Sequence, residues 1–315
     1  MMNDFCAVLR TAQVPARKTL RKLGTLDVDV VETTPVVWEN RLLRFEWVRN
    51  SAWGEDVQRE IGAYRFVDMA DESPLPQFAL DHSFGCCYAE SGKMYVHGTR
   101  GGGGGTIIDT FVSADLVHWE SSTALTFPEG IQLYNTSVCK GPDGYIMAIE
   151  IGGSHPAVGR PFTWVYAKSP DLLRWELLPR EEYSYSRDRY TACPTIRWYD
   201  GQYYLIYLES APLHRWLPYI VRTPDLLHYE AGVINPIMMF SDEDKKVINP
   251  ERFTPEQLDR IAHAANCNNS DVDLCEYNGK TVITYSWGNQ LGKEFLALAE
   301  YDGSEKEFLQ SFFIN

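Results

Sequence analysis

Residues 113–120 read SADLVHWE, and two later stretches repeat the pattern: SPDLLRWE at 169–176 and TPDLLHYE at 223–230. Their starts lie 56 and 54 residues apart. Self-similarity at a near-constant period marks a repeat architecture. Each copy follows a strand-like run: TIIDTFV, FTWVYAK and LPYIV. Each carries Ser or Thr and then Asp, whose short side chains tie their own backbone into a turn. An aromatic follows, which opens the next strand and packs on a neighbour. Asp115, Asp171 and Asp225 therefore read as turn ties. Glu120, Glu176 and Glu230 read as surface or inter-unit contacts.

Working outward, a hairpin precedes each copy: residues 82–99, 135–152 and 193–210. Each has an apolar strand, a turn carrying Gly and a second apolar strand. The hairpin recurs without the octapeptide at VVETTPVVWENRLLRFEWV (30–48) and SDVDLCEYNGKTVITYSWG (270–288). Five hairpins at roughly 50-residue spacing, each followed by two more strands, predict an all-β chain. The expected form is a five-bladed β-propeller with four-stranded blades. A two-sheet sandwich is the rival all-β reading, but it does not account for the recurring order of hairpin, third strand, Asp turn and aromatic strand. One helix is expected, TPEQLDRIAHAA (254–265). Thr254 would be its N-cap, Pro255 its first residue and Gln257 the second half of a capping box, making a short insertion before the last blade. TLDVDVV (25–31) has strand alternation. The N-terminal segment 1–28 is thus expected to complete part of a propeller spanning 29–315.

The 315 residues, 44% hydrophobic and 13% aromatic, suffice for a sizeable core. A formal charge of −14 argues against nucleic acid and anionic membranes as partners. The seven cysteines form no CxxC pair and lie mostly in apolar runs, which reads as buried free thiols in a reducing compartment. The basic N-terminus lacks an apolar signal core, and no apolar run is long enough to span a bilayer. A cytoplasmic protein is expected. NCNNSDVD (266–273) has the composition of a calcium loop without EF-hand spacing. No metal or cofactor is expected, with a structural calcium ion as the minor alternative.

The octapeptide repeated after hairpins resembles the five-bladed propeller glycoside hydrolases, among them families 32, 43, 62, 68, 117 and 130. The resemblance spans about residues 29–315. The family 32 and 43 active-site motifs themselves are absent, which makes this a divergent sequence. What the resemblance implies is a site on the propeller axis, on the face where each innermost strand begins, with carboxylates gathered there. The heads of the inner strands offer Glu32, then Asp81 with His82, then Asn135, then Arg189-Tyr190-Thr191, then Asp271 with Asp273. The ends of the second strands offer Glu46, His97, Glu150, Glu209 and Trp287.

Glycosidic cleavage needs one protonated and one ionised carboxyl group flanking the bond, and clustered carboxylates raise one another's pKa. Glu32, Asp81, Glu150, Glu209 and Asp271 are the catalytic candidates. Glu150 or Glu209, each after an apolar strand, is expected to be the acid, and Asp81 or Asp271 the base. His82, Asn135, His155, Arg189 and Trp287 are the substrate-binding candidates, and Trp53, Trp164 and Trp216 are further aromatics that could stack on a sugar. The expected activity is an inverting glycosidase acting on the end of a small oligosaccharide or glycoside. Two alternatives stay open. One is a phosphorylase like family 130, with cations from Arg100, Arg160, Arg189 and His155. The other is a non-catalytic sugar-binding propeller. The sugar and the oligomeric state are not legible.

Overall fold

The computed structural model describes residues 20–49, 62–102, 104–180, 182, 183, 185, 187–290 and 294–314. Strand β1 (Leu20–Val28) comes first. Four strands then pair in chain order: β2 (Thr34–Trp38), β3 (Arg41–Arg49), β4 (Gly62–Asp68) and β5 (Ser73–Pro74). The second group is β6 (Phe78–Glu90), β7 (Lys93–Arg100), β8 (Ile107–Ser113) and β9 (Glu120–Thr126). The third is β10 (Ile131–Gly141), β11 (Gly144–Gly153), β12 (Thr163–Ser169) and β13 (Glu176–Leu177). The fourth is β14 (Ala192–Tyr199), β15 (Gln202–Ala211), β16 (Arg215–Thr223) and β17 (Glu230–Ala231). The fifth is β18 (Asn268–Tyr277), β19 (Lys280–Gly288) and β20 (Glu294–Tyr301), completed by β1. All pairs within groups are antiparallel. The first strands of the groups, β2, β6, β10, β14 and β18, touch one another in a closed cycle. The chain is all-β and propeller-like.

The octapeptides show why the groups form. Asp115 Oδ1 accepts from the N–H groups of Val117 and His118 at 2.9 and 2.8 Å. Asp171 does the same for Leu173 and Arg174 at 3.1 and 2.8 Å, and Asp225 for Leu227 and His228 at 2.9 Å each. Each tie leaves the next residue left-handed: Leu116, Leu172 and Leu226 have φ of 61°, 66° and 62°. That conformation is strained for a branched side chain, and burial of all three leucines offsets it. The aromatic then leans on residues ahead of its turn. Trp119 stacks on Phe78 at 3.8 Å, Trp175 meets His97 edge-on at 5.2 Å, and the Tyr229 hydroxyl bonds that of Tyr166 at 2.9 Å. Trp175 is buried and Trp119 and Tyr229 are half-buried, so the three are equivalent in place though not in depth.

Helix α1 (Pro255–His263) starts on Thr254, whose hydroxyl accepts from Gln257 N at 3.2 Å while Gln257 Oε1 accepts from Thr254 N at 2.9 Å. A second helix, α2 (Glu305–Gln310), was not expected. Its six residues are too short for a periodic signal, although Ser304 and Glu307 form a capping box. The predicted strand near 25–31 begins earlier, at Leu20, and pairs along β20. Residues 1–19 of the N-terminal segment lie outside the described residues. Lys22 pins β1 in place. Its Nζ donates to Asp244 Oδ1, Asn269 Oδ1 and the Met239 carbonyl at 2.7, 2.8 and 2.5 Å. Among the described residues, no helix is long and apolar enough to cross a membrane.

Candidate active site

Four of the five inner strands carry the same irregularity at one end. In β6, β10, β14 and β18 two residues oppose one on the partner strand, after Ser83, Leu133, Ala192 and Ser270 respectively. Such a bulge bends the strand and re-aims its side chains. The bulged pairs are Phe84-Gly85, Tyr134-Asn135, Cys193-Pro194 and Asp271-Val272. Phe84, Cys193 and Asp271 have φ of 51°, 50° and 51°, and Glu32, just ahead of β2, has 56°. Glu32, Gly85, Asn135, Cys193, Pro194 and Asp271 line a narrow cavity of about 30 Å³ shared by all five groups.

Two carboxylates meet one amide here. Asn135 Nδ2 donates to Glu150 Oε2 at 3.1 Å and to Glu32 Oε1 at 3.3 Å. Glu150 Oε2 also accepts from the backbone N–H of Cys193 at 2.9 Å. Arg49 reaches the other Glu32 oxygen at 3.5 Å. Burial pushes Glu32 up to about 8, helped by the neighbouring charge of Asp271 and opposed by Arg49 and Asn135. Burial pushes Glu150 up to about 7, with the Cys193 and Asn135 hydrogen bonds holding it back. Asp271 is half-buried and accepts from Ser270 Oγ at 3.0 Å. The cluster therefore holds protons at neutral pH, and Glu32 and Asp271 are its members that border the cavity.

The structure brings Glu32, Asn135, Glu150 and Asp271 together and sets the other candidates apart. Asp81 is exposed; it lies three residues before the β6 bulge, and its carbonyl accepts from Gly101 N at 2.7 Å. The axial position of that strand belongs to Phe84 and Gly85, so the second group contributes no carboxylate. His82 faces Asp109, with Nε2 at 2.9 Å from Oδ2, and Arg100 holds the same carboxylate at 2.6 and 2.7 Å. The second-strand residues that oppose the bulges are Gly98, Glu150, Tyr207 and Tyr285. Glu209 and Trp287 lie two residues further on, because alignment on the hairpin turns ignores the bulges. Glu209 pairs with Arg189. Trp287 is fully buried, stacked on Phe295 at 4.4 Å with Nε1 on Thr25 Oγ1 at 2.9 Å, so it has no face for a ligand. His155 sits in the loop after β11, where its Nδ1 accepts from Ala157 N at 3.1 Å. Trp53 lies outside the described residues.

Asp273 lines the narrow cavity as well as a larger one of about 260 Å³ further along the same strands, and its Oδ1 lies at 2.6 Å from Arg197. Arg197 is also held by Glu305 at 3.2 Å and the Leu274 carbonyl at 2.6 Å, so that cavity presents no unengaged cation or acid–base pair among these residues. In the 266–273 stretch, Asn268 Nδ2 donates to Glu294 at 3.1 Å and Asn269 Nδ2 to Asp244 at 3.3 Å, while the side-chain oxygens of Asn266 and Asn268 are buried without a hydrogen-bond partner. Among the described residues, no group of three or more His, Cys, Asp or Glu is arranged to hold a metal ion.

Sequence reasoning missed several neighbours. Glu294 is buried and pushed up to about 7, first by burial, with the Asp271 charge adding to it. Its signal matched that of Glu32, a carboxylate heading an apolar run. Tyr190 lies in the field of Cys193, Glu150, Asp271 and Glu32, and burial holds its phenol far above the usual range. An aromatic arc runs from Trp47 to Phe84, Tyr134, Phe162 and Tyr190, with ring centroids 4.6, 5.3, 5.1 and 5.6 Å apart in turn. It runs from the first group to the head of the fourth and has no signature in any one of them.

No protein-family profile and no curated protein matches the chain by sequence. Solved structures do match. A glycoside hydrolase shares 95% coverage of both chains, a TM-score of 0.63 and 13% identity. A family 43 enzyme from Xanthomonas citri complexed with xylose covers 95% of this chain and 93% of its own, with a TM-score of 0.55 and 12% identity. A family 43 endo-arabinanase from Bacillus licheniformis covers 86% and 93%, with a TM-score of 0.52 and 10% identity. The chain has the fold of the family 43 and related glycoside hydrolases.

Proposed function

We propose that the five four-stranded groups are propeller blades over residues 29–315, completed by β1, and that the protein is a glycoside hydrolase. It removes a terminal sugar from a small oligosaccharide or glycoside. The carrying observation is that Glu32 and Asp271 border one cavity while burial and mutual repulsion keep a proton on Glu32 at neutral pH. Glu32 is the acid. Its proton goes to the glycosidic oxygen as the bond to the anomeric carbon breaks. Asp271 is the base. It takes a proton from a water whose oxygen bonds that carbon from the opposite side, and proton exchange with solvent resets both groups. A cavity of about 30 Å³ admits a water beside Asp271. Glu32 and Glu150 do not fit an inverting pair. Bonded to one nitrogen at 3.1 and 3.3 Å, their facing oxygens are closer than the roughly 6.5–9.5 Å an inverting pair needs, and the amide fills the gap.

Phosphorolysis needs a cationic cradle. Of the four expected cations, Arg100 and Arg189 are already engaged by Asp109 and Glu209, which favours water as the acceptor. The named neighbours make pentosides the first panel. Wild type, Glu32→Gln and Asp271→Asn are assayed on 4-nitrophenyl pentosides and on arabino- and xylo-oligosaccharides, with and without phosphate. Proton NMR follows the anomer released. Turnover in phosphate-free buffer, lost in both variants, is the expected result. Turnover that requires phosphate would make the protein a phosphorylase, and sugar binding without turnover would make it a binding propeller.

A further inference from the structure

Asp271 is bonded by its own neighbour in sequence: Ser270 Oγ donates to Asp271 Oδ2 at 3.0 Å. Adjacent side chains of a regular strand point to opposite faces and do not meet. Here they meet because Asp271 opens the β18 bulge with a φ of 51°, which swings its side chain back beside that of Ser270.

The Ser270 hydroxyl has little choice of partner. A hydroxyl has one proton to give and two lone pairs that accept. Asn268 Nδ2 donates to Ser270 Oγ at 3.1 Å, and Gln290 Nε2 donates to it at 3.3 Å. Both lone pairs are filled, and the single proton is left for Asp271. Asn268 lies two residues before Ser270 and shares its strand face. Gln290 comes from beyond the end of β19. Glu294 sets both amides in place. Its Oε2 accepts from Asn268 Nδ2 at 3.1 Å, and its Oε1 accepts from the Gln290 backbone N–H at 2.5 Å. Ser270 and Asn268 are fully buried, which keeps water from competing for the hydroxyl.

A carboxylate turns freely about its last torsion, and a general base acts only when one oxygen is held in line with the proton it takes. We propose that Ser270 is the positioning residue of the base, with Asn268 and Gln290 directing its hydroxyl. The bond fixes Oδ2 of Asp271 and leaves Oδ1 to take the proton from the attacking water. This rests on the glycosidase reading and adds to it the residue that aims the base.

The test uses the full-length protein and the pentoside it turns over fastest. Ser270→Ala should lower kcat by about 10²-fold while KM stays within about twofold, the split expected when the base is misaimed and binding is untouched. Gln290→Met removes one lone-pair partner and keeps the backbone bond to Glu294. It should lower kcat less, by about three- to tenfold. In the Ser270→Ala background, Gln290→Met should cost nothing further, because its effect passes through the hydroxyl. Thermal unfolding checks that each variant folds. A crystal structure of Ser270→Ala should show the Asp271 carboxylate turned out of its wild-type place. An unaltered kcat in either single variant, losses that add in the double variant, or an unmoved Asp271 overturns the proposal. If the wild type hydrolyses nothing and Asp271 still turns in Ser270→Ala, the glycosidase reading falls and positioning by Ser270 stands.

Discussion

Asn135 donates its side-chain nitrogen to Glu150 at 3.1 Å, across the β-bulge in which Asn135 itself lies. The same nitrogen reaches Glu32, 103 residues away in sequence. One neutral donor thus spaces two buried acids, and their roles divide by position. Glu32 borders the cavity, and Glu150 lies behind Asn135 and Cys193.

That division predicts unequal mutants. Glu32→Gln and Asp271→Asn should each lower kcat by about 10²–10⁴-fold. Glu150→Gln should lower it less, because it changes the field around Glu32 and not a proton in flight. Asp81→Asn should leave kcat unaltered, since Asp81 is exposed away from the cavity. Steady-state kinetics on the best pentoside decides. Equal losses in Glu32→Gln and Glu150→Gln would reverse the assignment.

The pH dependence follows with its sign. Unfolded, these glutamates ionise near 4.5; folded, Glu32 does so at about 8 and Glu150 at about 7. The native state therefore keeps protons that the unfolded chain has lost. Stability from this source is complete below about pH 4.5 and drains away as pH rises through 7 and 8. Urea unfolding should give a lower free energy at pH 9 than at pH 5.5, and Glu32→Gln should flatten that slope. Turnover should fall on the alkaline side near pH 8, where Glu32 loses its proton.

The repeated aromatics serve packing. Trp175→Ala removes a buried ring that meets His97, and should cost about 3–5 kcal/mol by urea denaturation. A cost below about 1 kcal/mol would show that burial of this ring does not stabilise the packing.

The seating of β1 against the fifth group depends on a buried pair. The Lys22 side chain is 7% exposed and that of Asp244 0%, at 2.7 Å. Lys22→Met leaves the carboxylate buried without a cation, held only by neutral donors from Tyr285, Ser241, Asn266 and Asn269, which should cost up to about 3–5 kcal/mol. Adding Asp244→Asn should recover part of that loss, because no charge is then left without a partner. Thermal melts of the single and double variants measure it.

Features whose causes are local could be read from the residues alone. The Ser/Thr-x-Asp turns are written in side chains that bond backbone two and three residues on, and the capping box at Thr254 and Gln257 is equally short in range. Alternating apolar hairpins at a regular period set the all-β class. The same reading found Glu32, Asn135, Glu150 and Asp271. It also admitted Asp81, Glu209 and Trp287, and passed over Glu294 and the α2 helix. Packing in three dimensions sets which of these lie together. Each two-for-one bulge shifts which residue faces the axis, and alternation cannot reveal a bulge in advance. Proton affinity at Glu32 comes from burial and from Asp271, which reaches it across the closed cycle of inner strands. Those quantities depend on distance in space, and no local pattern in the chain encodes them.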